Sequence, residues 1–184
     1  MHFYIAQGIG FIGMIVAFIS FQKNDRRKFL WLQAIACMIF AAHFIFLGAF
    51  TGMIMNFAAI PRNLIFVRKH GGKQQILWTA VFVAAFVILG IFTWKNEFSL
   101  FPIFAMSCST VVYSLRSPRF IRFLTLPVAA LWLTYNIISL SIAGALTESF
   151  CVCSILIAIV RFDILRKKEV GAESISAPDS NTII

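Results

Sequence analysis

Seven apolar stretches, at roughly 4–21, 29–48, 51–69, 75–94, 98–115, 119–139 and 143–162, leave little sequence for anything else. Each holds about 18–21 residues, which crosses a hydrocarbon core of about 30 Å at about 1.5 Å per residue. Backbone amides in hydrocarbon must find partners within the chain, so only helices and closed barrels can span. Barrel strands read as short alternating segments, and these runs do not alternate. The expected class is an all-α membrane protein with seven transmembrane helices. Composition agrees, with 60% hydrophobic and 12% charged residues, against about 25% charged in soluble domains. The first run has no basic leader and carries its charge behind it, so it reads as a retained helix rather than a cleaved signal.

The net charge of +9 matters for its placement. Fifteen of the sixteen Lys and Arg residues fall after segments one, three and five or at the C-terminal end, counting Arg62 and Arg161 at helix ends. The other side holds Lys95 alone. The positive-inside rule then puts the N-terminus outside and the C-terminus in the cytoplasm. Lys23, Arg26, Arg27 and Lys28 lie at headgroup level and favour anionic lipids over nucleic acid. The stretch 68–73 reads as a flexible basic loop. Arg62 is expected to snorkel to the same surface. Residues 170–184 are polar and turn-rich, and are expected to form a disordered cytoplasmic tail.

Polar residues inside the apolar runs are few, so each is informative. Gly8, Gly10 and Gly13 formally spell G-x-G-x-x-G, but no strand precedes them and no βαβ unit surrounds them. With Ala6 and Ala17, Gly10 and Gly13 instead give a small-residue face for close helix packing. Asn24 or Asp25 is placed to cap the second helix, and Ser117 with Pro118 to start the sixth. Gln7, His43 and the Ser107, Ser109, Thr110 group read first as interhelical hydrogen bonds. Cys37, Cys108, Cys151 and Cys153 read as small buried side chains; no disulfide, metal site or cofactor is expected. Glu148 is the strongest functional candidate. A mid-bilayer carboxylate costs about 2.5–3.5 kcal/mol, so it must face protein or water, pair, or take up a proton.

Shifting the sequence by 92 residues lays segments one to three on segments five to seven. Arg27 meets Arg119, Gly52 meets Gly144, Phe40 meets Trp132 and Asn56 meets Glu148. Both halves run basic loop, uncharged turn, basic end. The expected organisation is two parallel triple-helix bundles, 1–73 and 98–169, joined by a linker helix at 74–97. Phe40, Asn56, Trp132 and Glu148 then converge near the pseudo-twofold axis as a small-molecule site. His43, Tyr135 and Asn136 form a second tier.

This layout resembles the SWEET, SemiSWEET and PQ-loop (MtN3-like) transporter superfamily. In its sugar carriers an aromatic on the second helix of each repeat and an Asn on the third line the substrate site. Phe40 with Asn56 and Trp132 with Glu148 look like those positions. More specifically, Ala6-Gln7-Gly8, Asn24-x-Arg26-Arg27, His43-Phe44-x-x-x-Gly48-Ala49, Ser109-Thr110 and Gly144-x-x-x-Glu148 with Arg161 resemble the bacterial inner-membrane YgjV family. Segment one lacks the repeat's proline, which Pro102 supplies in segment five. Phe40 replaces one Trp, and Glu148 replaces the second Asn. An acid there can bind a cation or carry a proton during exchange.

The expected function is a secondary transporter or facilitator of a small polar solute, sugar or amino-acid-like, working by alternating access. The alternative is a non-transporting scaffold or accessory subunit in which Glu148 only joins helices. No metal-ligand cluster or nucleophile–base pair suggests an enzyme. A retinal protein is excluded, because no lysine lies between Gly144 and Arg161. A tandem repeat can supply both halves of a pore in one chain, and an oligomer is equally compatible with it.

Overall fold

The computed structural model describes residues 2–160 except 22, 24, 69–71 and 116–117; of 21, 118, 119, 122 and 158 it describes the backbone alone. The expected tail, Arg161, Ser117 and the centre of the 68–73 loop lie outside the described residues. Those residues form seven α-helices: α1 His2–Phe21, α2 Arg26–Phe46, α3 Phe50–Arg68, α4 Gly72–Phe92, α5 Leu100–Ser114, α6 Pro118–Ile138 and α7 Ile142–Ala158. A single 3-10 turn, Glu97–Ser99, precedes α5. Among the described residues, four segments are long and apolar enough to cross a membrane: His2–Ser20, Arg26–Phe46, Phe50–Arg68 and Gly72–Phe92. The apolar parts of α6 and α7, Phe123–Ile138 and Ile142–Ile157, are shorter.

Local chemistry sets the helix ends. Asp25 caps α2, its carboxylate accepting from the Arg27 amide at 2.8 Å. Pro118 opens α6, where its missing N–H costs nothing. The helix ends of α2 and α6 close in the same way. Gly48 and Leu140 both take positive φ, 67° and 53°. Ala49 and Ser141 then donate to the carbonyls of Phe44 and Asn136, five residues back. Left-handed geometry costs a side-chain-bearing residue about 1–2 kcal/mol, and the exposed Leu140 gains little from burial. Leu140→Gly is therefore expected to stabilise the protein by about 1 kcal/mol, as read from thermal unfolding in detergent.

The helices close a ring. α1 packs on α2, α2 on α3, α3 on α5, α5 on α6, α6 on α7, and α7 returns to α1. α4 packs against α3 and α5. The outer surface carries Phe3, Ile12, Phe18, Trp31, Met38, Phe57, Ile88, Phe92 and Phe150, all exposed. The interior holds Gln7, Gln33, His43, Asn56, Arg62, Asn63 and Asn136. Such an apolar exterior around buried polar groups suits lipid rather than water as the surrounding solvent. Cys37 and Cys151 are buried, whereas Cys108 and Cys153 are exposed on this outer surface, contrary to the expectation for all four. Lipid and helix packing both accept a small apolar side chain, so composition did not separate them.

Candidate functional site

A cavity of about 100 Å³ lies inside the ring. Every helix except α4 contributes to its wall. Phe40, Asn56, Trp132, Asn136 and Glu148 all line it, so five of the seven candidate residues share one space. His43 and Tyr135 do not line it. Phe44, not singled out from the sequence, completes an aromatic wall: its ring stacks on Trp132 at 6.2 Å between centroids and meets Phe40 at 6.4 Å. Phe44 stands one helical turn after Phe40, and that spacing was the available signal.

The largest departure concerns Arg62. It does not snorkel; it is 2% exposed and lines the cavity. Its Nε and Nη2 donate to Asn63 Oδ1 at 3.1 and 3.0 Å. Its Nη1 donates to Ser109 Oγ at 2.9 Å and Thr110 Oγ1 at 3.0 Å. The rings of Tyr113 and Phe86 lie 5.1 and 5.5 Å from the guanidinium carbon. Nη1 also lies 3.7 Å from Met106 Sδ, so four residues accept from the cation, all neutral. The cost argument that singled out Glu148 applied equally to Arg62, but its closeness to Arg68 made it resemble a helix end. Taking Arg62 out of the flanking charges leaves the bias of the loops in place.

The acceptor side lies on α6 and α7. Glu148 is half-buried, facing the cavity, and among the described residues its carboxylate takes no hydrogen bond. The Asn136 amide donates to the Trp132 carbonyl at 2.9 Å, while its Oδ1 is buried without a partner. A Cβ on Gly144 would collide with that Asn136 amide, so the glycine is what lets α7 approach α6 here. Asn56 donates to the Gly52 carbonyl at 2.9 Å.

His43 and Tyr135 instead tie the ring together. His43 Nδ1 lies 2.7 Å from the Ala6 carbonyl and Nε2 2.7 Å from Ser141 Oγ. A carbonyl can only accept, which assigns the proton to Nδ1 and makes Nε2 the acceptor of the Ser141 hydroxyl. Ser141 Oγ also accepts from the Gly144 amide at 3.2 Å, capping α7. Tyr135 accepts from the Gly52 amide at 2.9 Å, filling an unpaired donor in the first turn of α3. Gln7 donates to the Leu140 carbonyl and accepts from the Ala143 amide, at 2.8 and 3.2 Å.

The site offers charges, hydrogen-bonding groups and apolar walls; among the described residues no three of His, Cys, Asp and Glu come together. Comparison with known proteins places the chain further. The family Imp-YgjV, described as bacterial inner membrane protein, matches residues 4–166. The inner membrane protein YgjV of Escherichia coli (strain K12) is 22% identical over 169 residues, spanning 91% of this chain and 90% of that protein. No solved structure matches. With most of its length matched, apolar helices throughout and its polar groups turned inward, the chain belongs to the YgjV family of bacterial inner membrane proteins.

Proposed function

We propose that the chain is a secondary transporter or facilitator of a small polar solute, working by rocking of α1–α3 against α5–α7 about the central cavity. The pairing of the cavity wall carries this reading. Ala17 with Ser109, Gln33 with Thr125, Ala36 with Val128, Cys37 with Ala129, Phe40 with Trp132, Phe44 with Asn136, and Asn56 with Glu148 all line it, each pair 92 positions apart. The turns at Gly48 and Leu140 share that spacing, as do His43 and Tyr135. Each of those two reaches from the second helix of its own half to the second turn or third helix of the other. Such recurrence supports two parallel three-helix repeats about an axis through the cavity, the place where alternating-access carriers hold solute. It also supports the superfamily resemblance, with all seven helices spanning.

In this reading Asn56, Asn136 and Glu148 bind the solute, and Phe40, Phe44 and Trp132 form its apolar walls. The lysine and arginine bias supports an outside N-terminus and a cytoplasmic C-terminus. The His43, Tyr135 and Gln7 latches then close the outer end, and the basic loops meet anionic lipid on the inner side.

The test is uptake and efflux of labelled sugars and amino acids in sealed proteoliposomes, with and without a pH gradient. Gradient-driven flux that falls at least tenfold in Glu148→Gln, with unfolding temperature retained, is the expected result for proton coupling. Flux indifferent to the gradient makes the protein a facilitator. Absence of flux for every solute favours the scaffold reading.

A further inference from the structure

The paired wall of the cavity is broken at one place, and the break is electrical. Arg62, Tyr113 and Met106 line one side without a repeat counterpart, and Thr147, Gly144 and Cys151 line the other. Asn56 is paired with an acid, Glu148. One cation and one carboxylate therefore face a shared space. Among the described residues, no ion pair joins them.

Each charge has room for a further partner. Arg62 gives Nε–H, one Nη2–H and its Nη1 hydrogens to Asn63, Ser109 and Thr110, which leaves one Nη2–H uncommitted. No residue that holds it is acidic. Opposite, the Glu148 carboxylate has no donor among the described residues, and neither has Asn136 Oδ1 on a side chain only 3% exposed. Donors with positive charge stand on the α3–α5 side, and acceptors with negative charge on the α6–α7 side.

Ligand classes can be compared on that arrangement. A neutral polyol would fill hydrogen bonds and leave both charges, the buried Arg62 and the half-buried Glu148, uncompensated, which is unfavourable for ions withdrawn from water. A simple cation would pair with Glu148 and meet Arg62 as a like charge. A simple anion would do the reverse. A molecule with both charges compensates both walls. Size narrows the class further. The cavity, about 100 Å³, is smaller than the ~150 Å³ that accommodates benzene and well below the ~300–1,000 Å³ of drug-sized pockets. In this conformation it takes about six heavy atoms or fewer.

We infer that the central cavity binds a small zwitterion, its anionic group towards Arg62 and its cationic group towards Glu148 and Asn136. The inference rests on the transport reading only in treating the cavity as a solute site. It differs from proton coupling alone, which needs Glu148 but gives Arg62 no role.

Two native thiols report on the site. Cys37 and Cys151 line the cavity, while Cys108 and Cys153 face outward. In full-length protein carrying Cys108→Ala and Cys153→Ala, modification of Cys37 and Cys151 by methyl methanethiosulfonate, a permeant thiol reagent of about six heavy atoms that fits the cavity, is followed with glycine, β-alanine, acetate, methylammonium and glycerol as probes. Glycine or β-alanine is expected to protect at a concentration at least tenfold below acetate or methylammonium. Glu148→Gln is expected to bring the zwitterion down to the level of acetate, and Arg62→Met down to that of methylammonium. Loss of a merely structural residue would not divide the probes by charge. Equal protection by a singly charged probe, protection by glycerol alone, or protection by none overturns the inference. Protection without flux in proteoliposomes would remove the transport reading and leave the zwitterion site standing. Flux of a neutral solute without zwitterion protection would do the opposite.

Discussion

Arg62→Met is expected to leave folding stability within about 1 kcal/mol of the parent while reducing zwitterion protection of Cys37 and Cys151 at least tenfold. Opposing effects nearly cancel in the fold. Ser109 and Thr110 also donate to the Met106 carbonyl, so both hydroxyls remain satisfied without the guanidinium. Asn63 Oδ1 loses its N–H partners, which costs about 1–3 kcal/mol. Against that, an apolar side chain of similar reach replaces a cation whose mid-membrane cost is about 2.5–3.5 kcal/mol. No acid is stranded, which is the usual reason that breaking a buried pair destabilises. Thermal unfolding and the thiol-modification assay, run on the same detergent-purified variant, separate the two effects. A loss of more than about 3 kcal/mol in stability would make Arg62 a structural residue, since known costs of removing hydrogen bonds of this kind would then be exceeded.

His43→Ala is expected to do the reverse, lowering stability by about 3–5 kcal/mol through loss of packing and of two hydrogen bonds. The ring is 0% exposed and packs 5.1 Å from Phe44 and 6.0 Å from Phe40 between centroids. It joins α1, α2 and the turn before α7 through contacts 37 and 98 positions apart in sequence. Gly10 fits beneath it because a Cβ would come within 2.7 Å of His43 Nδ1. The measurement is the unfolding midpoint in mild detergent, with Tyr135→Phe as a comparison. That variant keeps its ring and loses the hydroxyl's hydrogen bonds with Gly52 and Ser139, so a smaller loss of about 1–2 kcal/mol is expected.

Helix positions were legible because long apolar runs must pair their own backbone groups, and the seven helices begin and end within a few residues of those runs. The cap of α2, placed at Asn24 or Asp25, was legible for a related reason: capping chemistry is local. The grouping of Phe40, Asn56, Trp132 and Glu148 in one cavity followed from spacing within the apparent repeat. What escaped was rotation about the helix axes. A soluble helix shows its buried face by contrast with a polar one; here both faces are apolar. Phe44 was hidden among 21 phenylalanines, and Cys108 carried no mark that it faces outward. Arg62 was misplaced because charge near a span's end ordinarily belongs to the headgroups, and six positions separate it from Arg68.

The ring has two joints between α1–α3 and α5–α7, α3 against α5 and α7 against α1. They are not mechanically alike. α4 lies against both α3 and α5, so it acts as a clasp across the first joint. The second is bordered by an apolar groove of about 280 Å³ between Met14, Ile15 and Phe18 of α1 and Phe150 and Ser154 of α7. Thr147 and Cys151 belong to the walls of both the groove and the cavity, so only a thin partition separates the two spaces there. A third helix thus braces the α3–α5 joint, while the α1–α7 joint borders an open apolar groove.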